Sequence, residues 1–263
     1  MRSMFLAVVF LFGCAPSFAC TIRFGNETSF LPFIEFHDNK WQGLTVELLQ
    51  MLVQDIGCQL EFIPSPWLRS LKLIDKAELD VLAHLTYNTE RETDFAFIGP
   101  HHLESIYLIA TSGNFVGVTQ LEQLRNYRTG LIALLNGAYY GDELALMLLD
   151  ERTKDMFISI VSNQDKMLLL VNGRVQGVMD DIMAFNHWRT VTGKQVRHLR
   201  AVFKVYESPV YFGFNRKTLT INQLEQLAKA WQARFDDGTV QRILDKYQGT
   251  EPYLTLPPPN SLL

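Results

Sequence analysis

The sequence predicts an α/β protein with mainly parallel sheets, laid out as two successive units. Three observations carry this. Strand-length apolar runs alternate with amphipathic stretches twice along the chain, and repeated β-α-β order makes neighbouring strands parallel. At 263 residues the chain suffices for one large domain or two lobes with ample core. Its 48% hydrophobic and 20% charged content is that of a globular protein, neither disordered nor wholly apolar.

The first unit opens with the strand run Thr21-Ile22-Arg23-Phe24, followed by an aromatic loop with a proline brake at Pro32. Residues 44–56 read as helix. Leu44, Leu48, Met51 and Leu52 make one apolar stripe, Val46, Leu49, Val53 and Ile56 widen it, and Gly57 is a natural stop. A second strand over 59–63 ends in Pro64-Ser65-Pro66, which puts Trp67 just past its carboxyl end. A short helix to Lys76 leads into a buried strand carrying Leu79, Val81, Leu82 and Leu85.

That strand breaks at the polar turn Thr86-Tyr87-Asn88-Thr89-Glu90-Arg91, and a second apolar strand, Phe95-Ala96-Phe97-Ile98, is closed by Gly99-Pro100. Open α/β sheets bind ligands in loops at the carboxyl ends of their strands. A hydroxyl at Thr86 and a fixed cation at Arg91 suit a carboxylate. The same charges also fit a solvated turn.

The second unit begins after a strand over 106–110. It comprises a strand over 129–135, a helix over 140–150, a strand over 157–161, a helix over 163–172 and a strand over 176–179. Ser162 caps the second of these helices, with Asp165 in its first turn, and Gly173 stops it. The chain returns through 202–206 to 209–215. Residues 220–237 form the cleanest helix, with Ile221, Leu224, Ala228, Trp231 and Phe235 on one face.

Arg2, an apolar run over 4–12 and Ser17-Phe18-Ala19 together read as a secretory leader cleaved after Ala19. Leu11-Phe12-Gly13-Cys14 offers a lipid anchor as the competing reading, against which the Phe before Gly is atypical. Cys20 and Cys58 each stand immediately before a strand run. If those strands are parallel neighbours, the two sulfurs start in register, and an oxidising compartment favours a disulfide over two free thiols.

The formal net charge is −4, with no basic stripe, aromatic-basic interleaving or zinc spacing, so no nucleic acid and no metal are expected. Neither a G-x-G-x-x-G nor a Walker pattern occurs, and no cofactor is expected. No G-x-S-x-G or H-E-x-x-H marks a hydrolase. His101-His102 is adjacent rather than at ligand spacing, and His84 within a strand reads as a satisfied core residue.

These motifs, in this order, resemble the bacterial periplasmic solute-binding proteins of the polar amino-acid type, solute-binding protein family 3. The family's Thr-x-Thr-Pro-Glu-Arg loop matches Thr86, Glu90 and Arg91, with Asn88 and Thr89 replacing its second Thr and Pro. Its Gly-Arg-Val-Asp-Ala segment matches Gly173-Arg174-Val175, with Gln176 replacing the Asp and an extra acid at Asp180. Asp237-Gly238-Thr239, Ile243, Lys246-Tyr247 and Gly249 resemble its closing signature.

The resemblance implies a two-lobed periplasmic binding protein-like fold of type II, each lobe a mainly parallel sheet flanked by helices, with two crossover strands between them. It implies a leader over 1–19, a discontinuous first lobe (20–108 and 206–249), a second lobe (109–205) and a proline-rich tail (250–263). Arg91 and Thr86 would hold a ligand carboxylate, with Asn88 in the same loop, and Asp181 would hold an ammonium. Phe30 and Trp67 would cover the ligand's apolar part. Glu27 would stand three residues before Phe30 at an acidic family position, and Gly137 would lie in a glycine-rich loop opening a helix.

The expected role is that of a monomeric periplasmic binder of a small amino acid-like ligand. It would present that ligand to the membrane permease of an ABC transporter or to a sensor kinase. An enzyme on the same scaffold, such as a cyclohexadienyl dehydratase, is the alternative.

Overall fold

The computed structural model describes residues 20–127, 130–247 and 256–263. The expected leader with Cys14, Thr129, Gly249 and the first part of the tail lie outside the described residues.

Strand β1 (Cys20–Asn26) is followed by a small antiparallel sheet of β2 (Ser29–Phe30), β3 (Ile34–His37) and β4 (Lys40–Gln42). The sequence predicts an aromatic loop over 26–33, where β2 forms, because a strand this short carries no periodicity. Then come α1 (Leu44–Asp55), β5 (Cys58–Pro64), α2 (Trp67–Asp75), β6 (Val81–Thr86) and the long strand β7 (Phe95–Thr111). Next are β8 (Ile132–Leu135), α3 (Asp142–Leu149), β9 (Phe157–Ile160), α4 (Asn163–Val171), β10 (Gly177–Asp181) and α5 (Ile182–Thr192). The long strand β11 (Leu199–Asn215) leads back to α6 (Ile221–Asp236) and α7 (Thr239–Tyr247).

The main sheet has the order β5-β1-β6-β11-β7-β10-β8-β9. β5, β1 and β6 are parallel, as are β10, β8 and β9. Between these groups run β7 and β11, 17 residues each and antiparallel to one another. They are the two crossover strands, and each carries part of both lobes. Separate apolar clusters fill the two sides. One gathers Phe24, Leu48, Phe214 and Trp231, another Leu108, Phe115, Leu134 and Met147. The start of α5 tucks Met183 and Ala184 into the first of these, so the lobes touch beside the crossover.

Several sequence expectations are met. Cys20 pairs in register with Cys58 across parallel strands, Cα atoms 4.4 Å apart, and the two form a disulfide. Ser162 Oγ accepts the Asp165 N–H at 3.1 Å, capping α4. Thr220 and Gln223 close a capping box at the start of α6.

Three expectations are corrected. Gly99-Pro100 does not end a strand, because β7 runs on to Thr111; likewise the two pieces 202–206 and 209–215 are one strand, β11. The pairing of β7 with β11 slips between Val210↔His102 and Phe212↔Ile98, and such a bulge accommodates a proline that cannot donate to the ladder. Ile221 is 77% exposed; Leu227 takes its place with Leu224 and Trp231 on the buried face of α6. The tail residue Leu262 exchanges both backbone hydrogen bonds with Phe97, covering the edge that β7 presents there.

Candidate functional site

A cavity enclosing about 100 Å³ of water-accessible space lies between the lobes. One water needs roughly 10–15 Å³ by this measure, so a small organic molecule fits. Glu27, Phe30, Trp67, Thr86, Arg91 and Asp181, all expected from the sequence, line it.

On the first lobe, β6 ends at Thr86 and the chain turns. Asn88 Oδ1 accepts the Arg91 backbone N–H at 2.8 Å, which folds the loop and aims the arginine side chain inward. Arg91 Nη1 donates to the Thr86 carbonyl at 3.2 Å. No other hydrogen bond or ion pair holds the guanidinium among the described residues, so it keeps donors for a ligand. Burial lowers its pKa, yet a guanidinium remains charged at any physiological pH. Phe30 packs against Phe33 and His84, ring centroids 5.0 and 5.5 Å away. Trp67 Nε1 donates to the Gly137 carbonyl at 3.1 Å and thereby reaches the other lobe.

Two expected site residues act from behind the cavity wall. Asn88 shapes the arginine loop, and Gly137 docks Trp67; neither lines the cavity. Gly137 opens no helix, because α3 starts only at Asp142. Its φ of 80° and the 3.0 Å that would separate a Cβ from Leu68 both favour glycine there.

The second lobe supplies charge. Asp181 ends β10 and caps α5: its Oδ1 accepts the N–H groups of Met183 and Ala184 at 2.8 and 3.1 Å, and its Oδ2 that of Ser105 at 3.2 Å. Burial pushes its pKa up to about 7. Glu27 reaches from the first lobe to the start of α4, accepting from Asn163 N at 3.1 Å and Nδ2 at 3.3 Å. Burial pushes it, too, up to about 7.

The sequence reading missed three charged residues of this wall. Lys166 is fully enclosed, donating to Asn163 Oδ1 at 2.9 Å and to the Met179 carbonyl at 2.8 Å, and pairing with Asp180 at 3.2 Å. Asp180 had stood only as an extra acid. Glu104 lies on the part of β7 past Gly99-Pro100. Burial, with Asp181 and Asp180 nearby, pushes its pKa up to about 8. The cavity wall thus holds four carboxyl groups (Glu27, Glu104, Asp180, Asp181) against two permanent cations (Arg91, Lys166).

The histidine expectation is corrected as well. His84, His101 and His102 come together, and the buried Nδ1 of His84 has no hydrogen-bond partner, so it is not a satisfied core residue.

Residues 22–250 match the bacterial extracellular solute-binding proteins, family 3. The chain belongs to that family. A curated relative of this family 3 protein, the ABC transporter arginine-binding protein 1 of Escherichia coli K12, is 25% identical over 260 residues, covering 94% of this chain and 99% of the relative. Among solved structures, an ancestral arginine-binding protein bound to arginine superimposes with a TM-score of 0.74 at 20% identity, covering 87% of this chain and 98% of that one. A histidine kinase sensor domain with similarity to periplasmic binding proteins gives 0.74 at 16% identity, covering 91% and 99%. Likeness at this identity speaks for the fold: a two-lobed, type II periplasmic binding protein architecture.

Proposed function

We propose that this family 3 protein captures a basic amino acid, arginine being the simplest example, and hands it to the permease of an ABC transporter. The observation that carries the charge preference is the four-to-two excess of carboxyl over cationic side chains around the cavity. Removing charges from water is costly unless opposite charge replaces the solvent. Burial raises the pKa of Glu27, Glu104 and Asp181, and a ligand with two cationic groups and one carboxylate favours their ionised forms, whereas a neutral amino acid brings no net charge to do so. The name of the E. coli relative points the same way.

In this reading Arg91 takes the ligand carboxylate through its unengaged guanidinium N–H groups, a charge-assisted fork. The α-ammonium lies toward Asp181, and the side-chain cation toward Glu104 and Glu27. Phe30 and Trp67 pack on the methylenes. Because Arg91 sits on one lobe and Asp181 on the other, the ligand's opposite charges join the lobes and favour their closed arrangement; differential affinity of this kind makes closure ligand-dependent. The division into lobes at 20–108 with 206–249 and at 109–205 places the hinge in β7 and β11. The role is capture without chemistry, in the periplasm, after export by a leader over residues 1–19.

The test is thermal unfolding of the oxidised protein with arginine, lysine, histidine, glutamine and glutamate. A ligand at 100 times its Kd adds about 2.7 kcal/mol, a shift of roughly 5–10 °C for a chain of this size. Arginine or lysine is expected to give the largest shift and to be recovered unchanged. A larger shift with glutamate sinks the charge argument, and consumption of the ligand sinks the capture role.

A further inference from the structure

Three histidines converge under the cavity floor, and the amino-acid reading uses none of them as a charge or a donor. They sit on two strands that flank β11, and both strands are irregular there. The pairing of β6 with β11 slips between Tyr211↔Leu85 and Gly213↔Leu82, which leaves Ala83 and His84 bulged, with His84 at φ 56°. The pairing of β7 with β11 slips over residues 99–101. Successive strand residues normally face opposite sides of a sheet. Here His101 and His102 share one neighbourhood, their ring centroids 4.7 Å apart, with His84 5.1 and 5.3 Å from the two. Bulges commonly re-aim side chains beside functional sites, and two of them here serve the same three imidazoles.

We propose that His84, His101 and His102, with the Glu104 carboxylate as fourth donor, form a binding site for one zinc-class transition-metal dication. One ring nitrogen from each histidine lies within 4.8 Å of the others. A tetrahedral ion with metal–nitrogen bonds of about 2.0–2.1 Å holds its ligand atoms roughly 3.3 Å apart, so side-chain movements of about an ångström close the set. His101 and His102 are 0% and 1% exposed. Glu104 Oε1 lies 3.9 Å from His84 Nδ1.

Two buried ring nitrogens without hydrogen-bond partners belong to the same cluster. His84 Nε2 is held by the Thr45 hydroxyl at 2.9 Å, an outer contact of the sort that fixes a metal-binding imidazole, while its Nδ1 has no hydrogen-bond partner. His102 Nε2 is also buried without a partner. Its Nδ1 lies 2.7 Å from His101 Nδ1, a contact between two nitrogens that a bound cation would replace. His101 Nε2 accepts the His84 backbone N–H at 3.3 Å; a metal on Nδ1 needs the lone pair of that nitrogen, so the ring proton moves to Nε2 and this hydrogen bond is given up. Imidazole with carboxylate suits Zn²⁺, Co²⁺, Ni²⁺ and Cu²⁺, whereas Mg²⁺ and Ca²⁺ require oxygen donors. His84 and Glu104 also line the ligand cavity, so an ion bound here takes the carboxylate that faces a basic ligand's side chain in the proposed function, and metal and basic ligand compete for it.

The experiment uses full-length exported protein stripped with a chelator, titrated with Zn²⁺ in a calorimeter and with Co²⁺ under visible absorption. The expected result is one Zn²⁺ per chain with a Kd of about 1 µM or tighter, the tetrahedral Co²⁺ bands, and no heat from Mg²⁺. His84→Gln and His102→Gln should each weaken Zn²⁺ binding by more than the roughly 10–100-fold typical of a supporting residue. His37→Gln, on the surface, should change nothing. X-ray absorption of the Zn²⁺-loaded wild-type chain needs no variant: three imidazoles in the first shell support the site, and two or fewer overturn it. Absence of saturable binding, or binding that both variants retain, overturns it too. Arginine is titrated separately, so a chain that takes Zn²⁺ but no amino acid refutes only the transport reading, and the reverse refutes only the metal site.

Discussion

The two walls of the cleft hold their charges in opposite ways. On the first lobe, Arg91 has a single side-chain hydrogen bond among the described residues, to the carbonyl at the base of its own loop. On the second, Lys166 and Asp181 are each tied by three contacts to their own lobe or the crossover strand. The first wall keeps hydrogen-bonding capacity that the proposed ligand would use; the second has its charges tied by internal contacts. This asymmetry separates affinity from stability: changes on the first wall should cost binding, and changes on the second should cost folding.

The harshest way to probe that division is Lys166→Met. Removing one partner of a buried pair leaves Asp180 uncompensated and typically costs about 3–5 kcal/mol. Chemical denaturation of the ligand-free protein should show the loss. A variant as stable as wild type would mean that the second wall is not scaffold.

Arg91→Ala should do the reverse. Losing a charge-assisted fork to a carboxylate costs about 3 kcal/mol of affinity, roughly 100-fold, while the unfolding midpoint without ligand stays within a degree or two. Calorimetry and a melting curve on one preparation decide it. If the midpoint falls as much as the affinity, Arg91 is a structural residue and the asymmetry fails.

Asp181→Ala is the intermediate case. It removes the cap of α5, which costs about 1–2 kcal/mol, and leaves the Ser105 N–H without its acceptor. Stability should fall by that much. Affinity should fall as well if the ligand ammonium lies against the second oxygen, and the ratio of the two losses measures how far Asp181 serves both purposes.

Most of the first wall was legible in the sequence and much of the second was not. The arginine loop follows a buried strand and its residues are contiguous, so its position is legible. Its charges fit a solvated turn equally well, and only the family resemblance marks it as a ligand loop. The disulfide was legible because two cysteines precede two strands of the same parallel pair. Glu104 and the approach of His101 and His102 to His84 were hidden by Gly99-Pro100, which reads as the end of a strand although a bulge carries β7 past it. Lys166 reads as an ordinary helix-surface lysine. Only the packing of α4 against β10 shows that its ammonium is enclosed. Local pattern reports local conformation, whereas which charges are buried depends on contacts between segments far apart in the chain.

The smallest expected effect concerns the contact that joins the walls. Glu27, on the first lobe, accepts from Asn163 at the start of α4, and burial raises its pKa from the ordinary carboxylate value up to about 7. Lys166 and the Asn163 N–H favour its ionised form, while Asp180 and Asp165 oppose it. A carboxyl whose folded pKa is raised holds its proton more tightly in the folded state. Its stabilising contribution is complete below the ordinary value and disappears as pH rises through about 7. Opening of the cleft hydrates Glu27 and relieves the penalty, so the measured effect should be about 1 kcal/mol, below the full linkage ceiling. The measurement is the difference in unfolding free energy between wild type and Glu27→Gln from pH 5 to pH 8. That comparison cancels the titration of Glu104 and Asp181, which both proteins share. Wild type should lose stability relative to the variant as pH rises from 5, most steeply between the ordinary carboxylate value and about 7, and the difference should level off above that. Parallel curves would show that Glu27 is already hydrated, and that the lobes are not latched through α4.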